Sequence, residues 1–240
     1  MSAPDPTETV APAPVPAAVG LDGFPSGVVA NETLRAIGTA RAMRRLRPDP
    51  VPEELIRTLV WAGTRAASPN NSQLWRFVVV RDPGRRAAIG AALERFVRWI
   101  DSLGEAADDG DARIRAEARH LVANVAHAPV LLFVCAEHSY PERGPDPRYL
   151  WSAVNTASQN VLVAARSLGL GATLTMMQVG NEQGVREVLG LPDDVHIGTM
   201  IPIGWPDRPF GPARRRPLDD VIHHDRWRGG GRVQDERDPQ

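Results

Sequence analysis

The sequence contains no lysine, so all 28 basic side chains among its 240 residues are arginines. Without a lysine amine the chain cannot form a Schiff base, which excludes enzymes that attach pyridoxal phosphate to the protein. Cys135 is the single cysteine, so no internal disulfide can form and a cysteine-based zinc site is not expected. Because Cys135 lies within an apolar run, we expect an inert buried thiol rather than a nucleophile.

Long apolar runs, aromatic residues and net charge are also scarce. No apolar stretch approaches the roughly 20 residues that a membrane-spanning helix requires, and the N-terminus lacks the basic and apolar regions of a secretory signal. Aromatic residues make up 5% of the chain, and 29 acidic residues nearly cancel the arginines to leave a net charge of -1. These features predict a cytoplasmic protein that binds neither nucleic acid nor a membrane.

The composition divides the chain into three regions. Residues 1–28 are rich in alanine and proline without a repeat, which predicts a flexible arm. Residues 229–240 are charged and begin with glycines, which predicts a disordered tail. Since 42% of the chain is hydrophobic, residues 29–228 between them can bury the core of one domain.

Helices are predicted where apolar residues recur at helical spacing, and strands where short apolar runs occur. The predicted helices cover about 31–43, 52–62, 85–103, 111–126, 151–168 and 181–189. The predicted strands cover 77–80, 130–136, 172–176 and 197–203. Because helices dominate and strands do not alternate regularly with them, the pattern favours the α+β class.

Two clusters of arginines could each bind an anion. Arg41 and Arg44 lie three residues apart near the end of the first predicted helix, where they would share a face. Arg214 and Arg216 would share one side of an extended segment. Guanidinium forks that converge in this way suit a phosphate. The alternative is that both clusters are solvated basic surface.

Two further segments concentrate polar groups. The loop 68–77 places three amides and two hydroxyls just before a predicted strand, and such groups can bind a neutral heterocycle or a polyol. The alternative is a turn in which these side chains bond to their own backbone. Gln159 and Asn160 lie on an amphipathic helix that ends in Gly169-Leu170-Gly171, and they could equally be exposed polar positions. The histidines form no ligand set, so no metal site is predicted.

Taken in order, these segments resemble the nitroreductase family of enzymes that use flavin mononucleotide (FMN), over about Glu32 to Trp227. The motifs that carry the resemblance are the arginine cluster with 46–52, the loop 68–77, Gln159-Asn160 with 169–171, 189–192 leading to 202–204, and the stretch 214–217. The resemblance implies an α+β fold with a central mixed β-sheet flanked by helices. It also implies an interlocked homodimer, in which C-terminal segments add a strand to the partner's sheet and FMN lies at the subunit interface.

The resemblance also assigns roles at the phosphate end of the flavin. Arg41 and Arg44 would hold the FMN phosphate or reach the flavin edge, and Arg214 and Arg216 would complete the phosphate clamp. Ala42 stands at a cofactor-contacting position where many members have serine, so one contact is expected to be absent. The cofactor-binding residues implied in all are Arg41, Ala42, Arg44, Ser68, Pro69, Asn71, Gln73, Gln159, Met176, Met177, Arg214 and Arg216.

The remaining roles concern the ribityl chain and the ring. Ser68, Pro69 and Asn71 would approach them from the partner subunit, with Gln73 supporting that loop. Gln159 would lie near the ribityl and pyrimidine side. Backbone N–H groups of Met176 and Met177 would face flavin N5 and O4, although other members have an acidic residue and glycine there. Phe96, Trp99 and the loop 104–111 are candidate elements of a substrate lid, or else plain core and linker.

The activity implied is hydride transfer from NAD(P)H through flavin N5 to nitroaromatic, quinone or related electrophilic acceptors, in a ping-pong mechanism. No catalytic side chain is required because the cofactor carries the chemistry. Relatives cleave reduced flavin, remove halogen from aromatics or desaturate natural products, and these are alternatives. A protein that sequesters flavin without catalysis is a third hypothesis.

Overall fold

A five-stranded sheet packs against helices in the computed structural model, which describes residues 21–227. The helices are α1 (Glu32–Thr39), α2 (Glu53–Gly63), α3 (Pro83–Ser102), α4 (Asp109–Asn124), α5 (Pro147–Ser167) and α6 (Glu182–Leu189). The strands are β1 (Leu46–Arg47), β2 (Trp75–Val80), β3 (Val130–Glu137), β4 (Gly171–Ala172) and β5 (Val195–Pro206). The predicted α+β class is therefore confirmed.

Strand β5 organises the sheet. It pairs with β3 along most of its length, with Phe133 opposite Met200, and β2 pairs with the far side of β3. The short strands β1 and β4 pair with the last residues of β5. All these pairs within residues 21–227 are antiparallel, so the mixed character that the resemblance implies for the sheet stays a prediction.

Strand β3 divides the core between the two faces of the sheet. Leu132 and Val134 pack with α2 and α5, whereas Leu131, Phe133 and Cys135 pack with α3, α4 and α6. All five side chains are fully buried. This alternation is the two-residue period of a strand, and it confirms the prediction of a strand that is covered on both faces.

The first helix begins as predicted and ends earlier. The Asn31 side chain accepts a hydrogen bond from a backbone N–H of the first turn at 2.9 Å and caps α1. The predicted end near Met43 is wrong, because α1 ends at Thr39 and Ala40 has an extended backbone. The Met43 N–H instead donates to the Ala172 carbonyl at 3.0 Å. Pairing with a distant segment thus ends the helix.

The other boundaries differ for local reasons. Helix α5 begins at Pro147, before its predicted start, because the Asp146 carboxylate accepts from the Arg148 N–H at 2.8 Å and caps it. The predicted strand 172–176 is interrupted. Only its first residue belongs to β4, and Thr175 forms an isolated antiparallel bridge with Met200.

The two ends of the chain are described only in part. Residues 21–28 of the predicted arm form turns, and the Leu21 side chain lies against Gly38 of α1. The rest of the arm and the predicted tail lie outside residues 21–227. Among the described residues, no helix has the length and apolar character to cross a membrane. The same residues include no group of three His, Cys, Asp or Glu side chains that could hold a metal ion.

Candidate functional site

A cavity of about 400 Å³ lies where α1, α5 and the chain after β5 meet. Pockets of this size hold small molecules in other proteins. Its walls are the last turn of α1, the extended segment 40–42, one face of α5 and the turn into β4. The residues that line it are Asp22, Ile37, Gly38, Ala40, Arg41, Ala42, Gln159, Leu162, Arg166, Leu170, Ala172, Thr173, Leu174, Phe210, Ala213 and Arg215.

Helix α5 presents one face to this cavity. Gln159, Leu162 and Arg166 are separated by three and then four residues, so they lie in one row along the helix. The neighbouring row, which includes Val161 and Ala165, is fully buried in the core. The core therefore fixes the orientation of the face that lines the cavity.

Two glycines shape the turn after α5. Gly169 has a φ of 75°, a conformation that terminates helices and that glycine adopts without strain. A Cβ at Gly171 would lie 2.7 Å from the Leu46 side chain and 3.2 Å from that of Met43. Glycine at this position therefore lets β4 lie close to the segment that leads into β1. That segment forms one wall of the cavity.

Residues 207–216, which we call the C-terminal strap, close one side of the cavity. The Ala213 N–H donates to the Gly38 carbonyl at 3.2 Å. Nη2 of Arg41 donates to the Pro209 carbonyl, also at 3.2 Å. These bonds tie the strap to α1 and to the segment that follows it. The strap residues that line the cavity are Phe210, Ala213 and Arg215.

Arg166 is a buried cation at the cavity wall, with 2% of its surface exposed. Its Nε donates to the Thr39 hydroxyl at 2.8 Å, and its guanidinium carbon lies 4.0 Å from the centre of the Phe210 ring. Neither Nη1 nor Nη2 has a hydrogen-bond partner among residues 21–227. Burial lowers the pKa of the Arg166 guanidinium, because a low-polarity environment disfavours the charged form.

The charges that line the cavity are mainly positive. Arg41, Arg166 and Arg215 line it, and among residues 21–227 Asp22 supplies its only carboxylate. Within the described part of the chain, none of these three arginines forms an ion pair with a carboxylate. An anion is therefore the type of ligand that this environment favours.

The structure brings only some of the predicted residues together. Arg41, Ala42 and Gln159 line the cavity, whereas Arg44 lines a separate recess of about 170 Å³ beside His120. The prediction that Arg41 and Arg44 share a helical face is wrong, because both follow the end of α1 in irregular chain. Arg41 and Arg44 therefore line different recesses.

On the strap, Arg215 lines the cavity, and Arg214 and Arg216 are not among its lining residues. All three side chains are exposed, and Nη1 of Arg215 donates to the Arg214 carbonyl at 2.8 Å. Neighbouring side chains in extended chain alternate, so one side of the strap directs the middle arginine inward. A phosphate-binding role for Arg214 and Arg216 stays a prediction.

The polar loop 68–73 lies outside the cavity of its own chain. Part of it serves the backbone, because the Ser68 hydroxyl accepts from the Gln73 N–H at 3.1 Å. Asn71 and Gln73 have φ values of 53° and 49°, which are uncommon for residues other than glycine and often occur at functional sites. Asn160 also has a structural role, because its amide donates to the Ala62 carbonyl at the end of α2.

Met176 and Met177 lie at the start of a short 3₁₀ helix, Met177–Asn181. Met176 is 47% exposed, while Met177 is buried. The Met177 N–H donates to the Thr175 hydroxyl at 3.2 Å, so this group already has a partner within the chain. Its predicted bond to the flavin stays a prediction and requires that this internal bond open.

The candidate lid residues lie beside this segment. A Cβ at Gly180 would lie 2.9 Å from the Phe96 Cα, so the 3₁₀ helix packs directly on the backbone of α3. The Phe96 and Trp99 rings lie 5.3 Å apart, and Trp99 is 53% exposed. Helix α3 therefore packs through Phe96 on the 3₁₀ helix and carries the exposed Trp99 one turn further on, and their role in a lid stays a prediction.

Sequence reasoning missed most of the cavity's lining, including its side chains Arg166, Phe210 and Arg215. One signal for Arg166 was present, because it follows Gln159 by seven residues and thus shares its helix face. No sequence pattern identified Phe210, or Arg215 among three consecutive arginines, since the folded path of the strap selects them.

Comparison with known proteins identifies the fold and its family. A sequence model described as the nitroreductase family matches residues 37–205, more than half of the 240 residues. The chain belongs to the nitroreductase family. NADH dehydrogenase of Thermus thermophilus is 29% identical over 197 residues, covering 76% of this chain and 90% of the relative. In the same family, 5,6-dimethylbenzimidazole synthase of Rhodospirillum rubrum is 32% identical over 173 residues, covering 69% and 78%.

Solved structures agree on the nitroreductase fold. Iodotyrosine deiodinase bound to FMN and 3-iodo-L-tyrosine superposes with a TM-score of 0.68 at 20% identity, covering 81% of this chain and all of that one. The expected nitroreductase-like fold is thus confirmed.

Members of the nitroreductase family are typically FMN-dependent oxidoreductases. The residues present here fit the phosphate end of FMN. A phosphate offers several acceptor oxygens, and the cavity offers the two unpartnered Nη groups of Arg166 together with Arg41 and Arg215. Leu162 and Leu174 supply apolar surface beside these charges.

Proposed function

We propose that the protein is an FMN-dependent oxidoreductase that transfers hydride from NAD(P)H to a nitroaromatic, quinone or related electrophilic acceptor in a ping-pong mechanism. The observation that carries the proposal is the arginine-lined cavity in a chain of the nitroreductase family. Two names among its relatives support it, one an NADH dehydrogenase and the other a deiodinase solved with bound FMN.

Different residues of the cavity would bind different parts of FMN. Arg41 and Arg215 would hold the phosphate through charge-assisted hydrogen bonds. Gln159 carries both a donor and an acceptor, so its exposed amide suits the hydroxyl groups of the ribityl chain. The backbone at Met176 and Met177 would face the ring, as proposed for the family.

When bound, FMN supplies the redox chemistry by accepting hydride from NAD(P)H and passing it to the acceptor. The chain therefore needs to bind and orient rather than to supply an acid–base pair. The positive charge along the cavity adds a potential that favours negative charge at the site.

A homodimer would complete the site. An apolar groove of about 560 Å³ runs along α1, α2 and α5 next to the cavity, and Gln159 lines both. Trp61 in this groove is 61% exposed, and Ile37 is 49% exposed. We propose that a second copy covers this surface and brings its loop 68–73, with Ser68, Pro69 and Asn71, to the flavin. Such an enzyme would work in the cytoplasm.

An anaerobic titration of the purified flavoprotein tests the proposal. Addition of NADH or NADPH should bleach the flavin absorbance, and a quinone should restore it. A flavin that both nicotinamides leave oxidised would support sequestration instead. A protein that takes up no FMN would contradict every flavin-based function.

A second function, cleavage of reduced flavin, is favoured by the 32% identity to 5,6-dimethylbenzimidazole synthase. Its test is the fate of the flavin when the reduced protein meets oxygen. Oxidation that regenerates intact FMN supports the first function, and loss of the isoalloxazine ring supports the second.

A further inference from the structure

The guanidinium of Arg166 lacks hydrogen-bond partners that a buried cation needs. An unpaired buried charge is strongly unfavourable, so such groups are normally paired or hydrogen-bonded. Arg86 and Arg115 also have a buried nitrogen without a partner, but in each it is Nε alone. Within residues 21–227, Arg166 is the only arginine with both terminal nitrogens buried and unpartnered.

We propose that Arg166 binds the phosphate group of the cofactor and that this anion supplies the partners its Nη groups lack. The inference rests on the proposed function, because FMN is the phosphate ester in question. It adds to Arg41 and Arg215 a phosphate ligand from the middle of the chain, on α5.

The surroundings of Arg166 fix the guanidinium in an orientation that leaves its Nη groups for a ligand. The bond from Nε to the Thr39 hydroxyl and the Phe210 ring over one face together restrain its plane. Hydrogen bonds to a guanidinium form in the plane and cation–π contacts form on the face. Phe210 therefore leaves the two Nη groups available to the oxygens of one phosphate.

The same cavity supplies room and further charge. Ala40 lies on its wall with only a methyl side chain, and Arg41 and Arg215 line it as well. Asp22, the carboxylate that also lines it, forms no ion pair with these arginines among the described residues. A phosphate at this position would meet three guanidinium groups that no carboxylate of residues 21–227 pairs with.

The test compares FMN with riboflavin, which has the same ring and ribityl chain but no phosphate. Both flavins are titrated into flavin-free protein by fluorescence quenching, for the wild type and for Arg166→Met, which keeps an unbranched apolar stem and removes the charge. We expect the dissociation constant of FMN to rise about tenfold or more, and that of riboflavin to stay unchanged. The flavin-free variant should be at least as stable as the wild type, since an uncompensated buried charge is gone.

Arg186→Met is the matched control, because Arg186 is another largely buried helical arginine, but its Nη groups already have protein partners. It should lower stability and leave the preference for FMN over riboflavin unchanged. If Arg166 has only a structural role, Arg166→Met should behave like this control, with lower stability and an unchanged preference for FMN over riboflavin. Equal losses for FMN and riboflavin, or no loss for FMN, would overturn the proposal.

Two further measurements keep the test decisive. If Arg166→Met does not fold, Arg166→Lys is measured in its place. An FMN affinity equal to that of the wild type would then refute the need for a planar guanidinium at this position. If the wild type takes up no FMN, the proposed function fails and inorganic phosphate decides the inference. A rise in Tm with phosphate that Arg166→Met lacks supports the anion site, and equal or absent shifts overturn it.

Discussion

Arg166 on α5 and Arg186 on α6 are both largely buried, but the protein satisfies only one of them. Nη1 of Arg186 donates to the Val195 carbonyl, Nη2 donates to the Pro192 carbonyl at 2.6 Å, and Glu182 lies one turn away. These bonds hold α6 against the start of β5. Among the same described residues, 21–227, Arg166 uses only its Nε.

The difference shows how one residue type can serve two purposes. An arginine whose N–H groups end on backbone carbonyls fixes a loop and has nothing left to bind a ligand. An arginine whose N–H groups are buried without acceptors is a site that needs an anion. In a chain without lysine, both purposes fall to arginine, so only the partners distinguish them.

The largest effect should follow from removing Arg41 and Arg215, the two arginines that line the cavity with Arg166. Arg41→Ala combined with Arg215→Ala should weaken FMN binding by about 100-fold or more, because charge-assisted bonds to phosphate are lost. Arg41→Ala with Arg214→Ala should weaken it less, since Arg214 does not line the cavity. Fluorescence titration measures both. Equal losses in the two double variants would contradict the assignment of Arg215 and restore the clamp predicted from sequence.

The next effect concerns the satisfied arginine. Arg186→Met should lower the free energy of unfolding by about 2 kcal/mol, because two backbone carbonyls lose charge-assisted hydrogen bonds. Urea unfolding of the flavin-free protein measures it. If Arg166→Met lost as much stability under the same conditions, the distinction between the two regions would not hold.

A smaller effect is expected at the cap of α1, which carries Ile37 and Gly38 into the cavity wall. Asn31→Ala should lower the free energy of unfolding by about 1 kcal/mol, because the first turn loses its side-chain acceptor. Asn31→Asp keeps an acceptor and serves as the control in the same urea experiment. Equal stabilities of the two variants would show that the cap contributes nothing.

No effect at all is expected from thiol reagents on the folded protein. Cys135 is fully buried beneath helices α3, α4 and α6, and burial raises the pKa of its thiol to about 12. The thiolate is the reactive form, so the native protein should not react with a disulfide reagent at about pH 8. One thiol per chain should react after unfolding in guanidinium chloride. Rapid labelling of the native protein would show that the core beneath α3, α4 and α6 opens readily.

Patterns local to the chain predicted much of the fold. The apolar run that forms β3 could be predicted as a doubly covered strand because every one of its residues is apolar up to Ala136. The Asn31 cap and the Gly169 stop are likewise encoded within a few residues. The end of α1 was not predictable in this way, because it depends on the bond from Met43 to Ala172.

The candidate site, too, could be predicted from the sequence only in part. Sequence alone identified Arg41 and Gln159 as cavity residues through motifs whose order is characteristic of the family. It placed Arg44 with Arg41 from a helical spacing and from the family resemblance, whereas the irregular chain after α1 brings Arg44 to a separate recess. It named Arg214 and Arg216 because spacing alone does not show which side of the strap faces the cavity, and their role in binding phosphate stays a prediction.

By itself, the sequence determined that arginine would carry all the fixed positive charge, that helices would cover an apolar sheet, and that nitroreductase motifs occur in order. Only the tertiary structure decided which guanidinium groups meet and which lack partners. Thr39 and Arg166 are 127 positions apart in the sequence, yet their side chains are joined by a hydrogen bond. A count of satisfied N–H groups depends on such long-range contacts, because burial and acceptors exist only once distant segments have packed together.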